Sequence, residues 1–214
     1  VVIQPGILLK PDREHPPYPR RALIVPNWGD GMDIRKESQG WPKDPNSIQA
    51  RTIQHVRGLD DWDVILDDDG TGEVADIVAI RKQGSELRVM LTHCKYSSND
   101  NPGARVADLY DVCGQAQRST TSRSHLHSMF KRLIRRERNR VNNHGRDGFE
   151  VGDITQLYRL HDESQQLSTS FTIAIAQPGL SREQAADNQL QLLAATEVYV
   201  REVAKADFKV FCSA

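Results

Sequence analysis

Cysteine is scarce in this 214-residue chain: Cys94, Cys113 and Cys212 are an odd number with no paired spacing. That excludes a disulfide framework and predicts free thiols in a reducing, cytoplasmic setting. No apolar run approaches the roughly 20 residues that span a bilayer, so no membrane partner is expected. The first residues, Val1-Val2-Ile3-Gln4-Pro5, lack both an initiating Met and the basic start and apolar run of a secretory leader. We therefore expect a C-terminal piece of a longer protein. Nor does one sign of charge dominate: 28 Lys and Arg against 29 Asp and Glu give a net charge of −1, which argues against a wholly basic nucleic-acid binder. Apolar residues at 38% are still enough for one core and one domain.

What the chain does have is uneven charge. Asp60 to Asp76 is acidic, without a lysine or arginine, whereas Lys131 to Arg140 carries six cations against Glu137 alone. That asymmetry suits a site that binds a cation in one place and a polyanion in another.

Residues 1–46 hold eight of the ten prolines. They read as an irregular arm that packs on the core through Trp28 and Trp41, with one short strand within Arg21 to Val25. Residues 47–214 read as a single domain. Ser47 caps a helix over Ile48 to Val56, with Ile48, Thr52, Ile53 and Val56 on one face. Asp63 to Leu66 is a short strand, Asp67-Asp68-Asp69-Gly70 a turn, and Glu73 to Ile80 and Leu87 to Tyr96 are the next two strands. Helices follow over Ala104 to Arg118, Ser124 to Val141 and Asp153 to Gln165. Phe171 to Ala176 is a strand stopped by Gln177-Pro178-Gly179, Ser181 caps a helix to Lys205, and Asp207 to Cys212 is the last strand. The order predicts an α/β fold: a mixed central sheet of about five strands flanked by helices.

Two segments carry the chemistry. Gly72-Glu73-Val74-Ala75-Asp76 leads into one strand, and Thr92-His93-Cys94-Lys95 ends its neighbour. Side chains two apart share a strand face, so His93 and Lys95 point together and Cys94 points away. Glu73 falls on the face opposite Asp76 and joins it only through a bend. An acid among Ala75, Ile77 and Val78 is costly to bury unless a cation or metal pairs with it. An acid, then one hairpin later a polar residue, any residue and a lysine, is the layout of a metal-dependent phosphodiesterase. The metal needs a hard oxygen ligand, and the attacked phosphate needs a cation beside it. The competing reading is a structural ion pair between Asp76 and Lys95. Lys131, Arg132, Arg135 and Arg136 recur at helical spacing and suit either a phosphate backbone or a solvated helix face. Asp67-Asp68-Asp69 reads as a solvated turn, and His125 and His127 with Cys94 and Cys113 match no common zinc spacing.

On these residues the chain resembles the PD-(D/E)XK, restriction-endonuclease-like superfamily, over roughly Ser47 to Ala214. The phrases Gly72-Glu73-Val74-Ala75-Asp76, His93-Cys94-Lys95-Tyr96-Ser97 and Cys113-Gly114-Gln115-Ala116 further resemble C-terminal nuclease domains of bacterial helicase-like defence proteins. The resemblance implies a restriction-endonuclease-like core and a DNA endonuclease using Mg²⁺ or Mn²⁺. It also implies a helicase or ATPase domain on the full-length chain and a role in restriction or anti-phage defence. By resemblance Asp76 is the metal-binding acid, Lys95 orients and polarises the attacking water and the phosphate, and Gln115 positions water or the backbone. The backbone carbonyl of Cys94 becomes a metal ligand. His93 stands where the family usually has Asp or Glu, and sometimes Gln. Imidazole suits Mn²⁺ better than Mg²⁺. Four outcomes are open: His93 binds Mn²⁺, it acts as a base, Glu73 supplies the missing carboxylate, or activity is lost with DNA binding kept. Cutting both strands of a duplex would call for two sites, hence a homodimer or repeated nicking.

Overall fold

A computed structural model describes residues 16–214; the expectations for residues 1–15 of the arm lie outside them. Seven strands form one mixed sheet: β1 (Leu23–Ile24), β2 (Val64–Asp67), β3 (Ile77–Gln83), β4 (Glu86–Cys94), β5 (Phe149–Val151), β6 (Ser168–Ser181) and β7 (Asp207–Ser213), in the order β1-β7-β6-β4-β3-β2-β5. β2, β3 and β4 are an antiparallel meander, and β4, β6, β7 and β1 run parallel. The class is α/β, as expected, but the sheet has seven strands rather than five. The two-residue β1 and the three-residue β5 extend its edges, and segments as short as β5 carry no readable period.

Helix α1 (Ile48–Arg57) begins at Ser47, whose hydroxyl accepts the Ala50 N–H. It covers one face of the sheet through Ile48, Ile53 and Val56, packed with Ile65, Ile77, Met90 and Phe211. The other face is covered by α2 (Ala107–Ser119), α4 (Leu126–His144), α5 (Ile154–Glu163) and α6 (Asp187–Ala204), with the short α3 (Thr121–Ser124) between α2 and α4. Among the described residues no helix is long and apolar enough to cross a membrane.

Three of the boundaries that differ from the sequence reading do so for a clear local reason. The β3 ladder opens at Ile77, not Glu73, because the stretch before it is a loop with positive φ at Gly70 and Gly72. β6 does not stop at Gln177-Pro178-Gly179. It bulges there, with the register shifting between Ala176 and Ser181, and the Gln177 amide oxygen accepts the Gly179 N–H. Ser181 therefore ends a strand instead of capping a helix. α6 starts six residues later, where the Gln189 side chain accepts the Ala186 N–H.

The arm lies along the sheet edge. Trp28 donates its indole N–H to the Cys212 carbonyl (2.9 Å), and the Tyr18 N–H reaches the Leu190 carbonyl (3.0 Å). Gln39 donates to Asp67 (2.7 Å) and Glu150 (2.9 Å). The Gln39 bonds hold this part of the arm against the end of β2 and against β5.

Candidate metal centre

Asp76 sits at the mouth of β3, opposite the end of β4. Its Oδ2 accepts the Cys94 N–H (3.0 Å), where a strand carbonyl would otherwise stand. Its own carbonyl accepts from Gln49 (3.2 Å) and from the Asp68 N–H (3.1 Å). Only 4% of Asp76 and 3% of His93 are exposed, so both polar groups depend on partners inside the protein.

His93 Nδ1 lies 3.4 Å from Asp76 Oδ2, and Nε2 lies 2.7 Å from Ser119 Oγ. The Ser119 hydroxyl also donates to the Val74 carbonyl (3.4 Å). His93 Nδ1 is buried and without a hydrogen-bond partner. A buried ring nitrogen facing a carboxylate calls for a positive centre between them, a proton or a metal ion.

Glu73 completes the group. With the strand starting after it, Glu73 belongs to a loop and escapes strand alternation. This supplies the bend that a continuous strand denied it. Its Oε2 accepts the Gly70 N–H (3.0 Å), and its carboxyl is pushed up to about 7, first by burial and then by the charge of Asp76. One ligand atom from each of Glu73, Asp76 and His93 lies within 4.8 Å of the others. A divalent ion with bonds of about 2.0–2.6 Å spans ligand atoms up to about twice that distance apart, so all three can reach one ion. Two crowded carboxylates and an orphaned imidazole nitrogen are a fitting donor set, and the nitrogen favours Mn²⁺ over Mg²⁺.

The loop carrying Glu73 is held from α4. Arg136 donates Nε to Asp68 Oδ1 (2.6 Å) and its terminal nitrogens to the carbonyls of Asp68 (2.6 Å) and Thr71 (2.5 Å). Arg132 Nε reaches the Gly72 carbonyl (2.8 Å), and Arg140 reaches that of Asp67 (2.6 Å). Asp68 is buried, and burial pushes its carboxyl up despite the Arg136 guanidinium. The basic residues thus divide between two faces of α4. Arg132, Arg136 and Arg140 grip the acidic loop. Lys131, Arg135 and Arg138 border a groove with Tyr158 and His161. The acidic cluster is accordingly no solvated turn: Asp68 is an anchor, and the Asp69 carboxylate takes the Ser38 hydroxyl.

Lys95 does not pair with Asp76. Its ammonium lies 3.4 Å from Glu37 Oε2 and 4.0 Å from Asp111 Oδ2, and 4.7 Å from the Tyr96 ring centre. Glu37 also accepts the Tyr96 N–H (3.1 Å). Gln115 lines a cavity of about 640 Å³ together with Glu73, His93 and Ser119, and its buried Oε1 has no partner. Cys94 turns its thiol into the α1 core, where burial pushes it well above the usual range. Its N–H faces Asp76. In an antiparallel ladder N–H and C=O of one residue leave on the same side, so its carbonyl faces that way too. Sequence reasoning missed Ser119, Gln49, Glu37 and Arg118, which lines the same cavity. None belongs to a short motif, and each meets the site only through the fold.

Comparison of the chain with protein-family models, curated proteins and solved structures returned no match. The site is read from its own chemistry.

Proposed function

We propose that the chain is a divalent-metal-dependent nuclease domain that hydrolyses phosphodiester bonds in DNA. The observation that carries this reading is the convergence of ligand atoms from Glu73, Asp76 and His93 within 4.8 Å, with Glu73 and His93 on the lining of a polar cavity. A structural ion pair between Asp76 and Lys95, the bland alternative, has no support, since Lys95 reaches Glu37 and Asp111 instead. The restriction-endonuclease-like resemblance belongs to this proposal. In its favour stand the order of elements, a helix, a three-strand meander, helices and then a strand parallel to the last of the meander.

Glu73, Asp76 and His93 would hold the ion, with the Cys94 carbonyl on the same side. When bound, a divalent ion activates water and stabilises charge on a phosphate oxygen. The chain's own residues do the rest. Ser119 meets His93 Nε2 and so orients the ring with Nδ1 toward the ion. Gln115 offers an unfilled acceptor that orients an O–H of the attacking water. Lys95 exchanges Glu37 for the scissile phosphate and neutralises charge that builds as the new P–O bond forms and the old one breaks. Because His93 replaces a carboxylate, Mn²⁺ serves better than Mg²⁺. A helicase or ATPase domain on a longer chain and a defence role extend the same reading.

One observation favours a second reading, a nuclease fold kept for binding DNA or protein: the Lys95 ammonium is already occupied by two carboxylates. Cleavage of supercoiled plasmid and single-stranded DNA with Mn²⁺ or Mg²⁺, by wild type, Asp76→Asn and Lys95→Ala, separates the two. The nuclease reading expects metal-dependent cutting lost in both variants with DNA binding retained. A folded wild type that binds DNA and cuts with neither ion favours the second.

A further inference from the structure

We infer that the cavity beside the metal centre takes one nucleic-acid strand, and that Arg118 and Arg132 hold the phosphate next to the one at the metal centre. The inference rests on the nuclease reading and names its substrate class. Asp76 and His93 are almost wholly buried, so a phosphate reaches them only by entering the cavity. Its volume of about 640 Å³ suits a nucleotide or two, not a double helix. Duplex DNA bends smoothly only over about 150 base pairs and displays its phosphates on a convex rod, which cannot deliver one into a concavity. A single strand turns freely at each phosphate and can.

The lining fits that ligand. Glu73 and His93 line the cavity together with Arg118, Ser122 and Arg132. Arg118 is exposed and has no acceptor among the described residues. Arg132 commits only Nε, to the Gly72 carbonyl, and keeps its terminal nitrogens for a second partner. With a divalent ion bound, its charge cancels those of Glu73 and Asp76. The two guanidiniums then leave a net positive cavity suited to successive phosphates. The first turn of the 19-residue α4, through Ser128, lines the same cavity and adds the positive end of its dipole.

The test is fluorescence anisotropy with labelled oligothymidylate of eight nucleotides against a blunt eight-base-pair hairpin, in Ca²⁺ across a salt series. Cleavage of single-stranded circular DNA in Mn²⁺ is measured separately. Wild type should bind the single strand at least about 10-fold tighter than the hairpin. Arg118→Ala and Arg132→Ala should each weaken single-strand binding about 5–10-fold and lower the salt slope by about one. The exposed Arg118→Glu weakens it further without touching the core, and Arg201→Ala, remote from the cavity, leaves it unchanged. Equal binding of hairpin and single strand, or no effect of either arginine, overturns the inference. If that occurs while single-stranded DNA is still cut, the nuclease reading stands alone. Arginine-dependent single-strand binding without cleavage keeps the strand site and removes the nuclease.

Discussion

His93 Nδ1 faces Asp76 Oδ2 across 3.4 Å, while its Nε2 lies 2.7 Å from Ser119 Oγ at the other end of the ring. A buried ring nitrogen and a buried carboxylate so placed call for a positive centre between them, and the proposed metal ion supplies it.

Ser119 should therefore act on metal affinity while touching no metal. Ser119→Ala removes the ring's partner at Nε2 and should weaken Mn²⁺ binding about 10-fold, the lower end of what a lost supporting partner costs. Isothermal calorimetry reads the change. Unchanged affinity would place the ring's orientation elsewhere in the structure.

Glu73 predicts a pH dependence with a definite sign. Its folded pKa is about 7 against an ordinary 4.5, because burial and Asp76 disfavour the charge. Between these values the native state holds a proton the unfolded chain has lost. Stability of the metal-free protein thus falls as pH rises from about 4.5 to 7 and stays lower above that. Glu73→Gln removes this loss. In EDTA at pH 8 the variant should exceed wild type by about 1–2 kcal/mol, discounting for solvent screening, with no advantage at pH 4. Saturating Mn²⁺ should reverse the order at pH 8, since only wild type keeps all three ligands. Urea unfolding at the two pH values checks both halves.

Arg136 is predicted to matter for folding before it matters for DNA. Arg136→Ala strands the buried Asp68 carboxylate and releases the loop carbonyls that Arg136 holds. The cost should be about 3–5 kcal/mol, with Mn²⁺ affinity falling in parallel as Glu73 loses its position. Arg135→Ala, on the other face of α4, should change stability by less than about 0.5 kcal/mol. Comparable losses in the two variants would contradict the assigned roles.

The features legible in the sequence are those set by near neighbours. Ser47 capping α1 and the hairpin joining β3 to β4 follow from residues within a turn or a strand of each other. What escaped was fixed at long range. The loop that carries Glu73, opened by Gly70 and Gly72, is held in place by Arg136, far along the chain. Lys95 turns toward Glu37 because the arm crosses the end of β4. His93 meets Ser119 only because the fold brings the last turn of α2 against β4. Asp76 and His93 could be paired from strand register alone, whereas the division of the α4 arginines needed the loop they grip. β6 ran past Pro178 because its bulge satisfies the bonds a regular ladder would lose.

The most direct measurement is anomalous diffraction from a crystal soaked in Mn²⁺. The account predicts one strong peak bonded at about 2.0–2.6 Å to Glu73, Asp76 and His93 Nδ1, absent in Asp76→Asn. An ordered site without a peak at millimolar Mn²⁺, or Mn²⁺ bound away from these three residues, would contradict it.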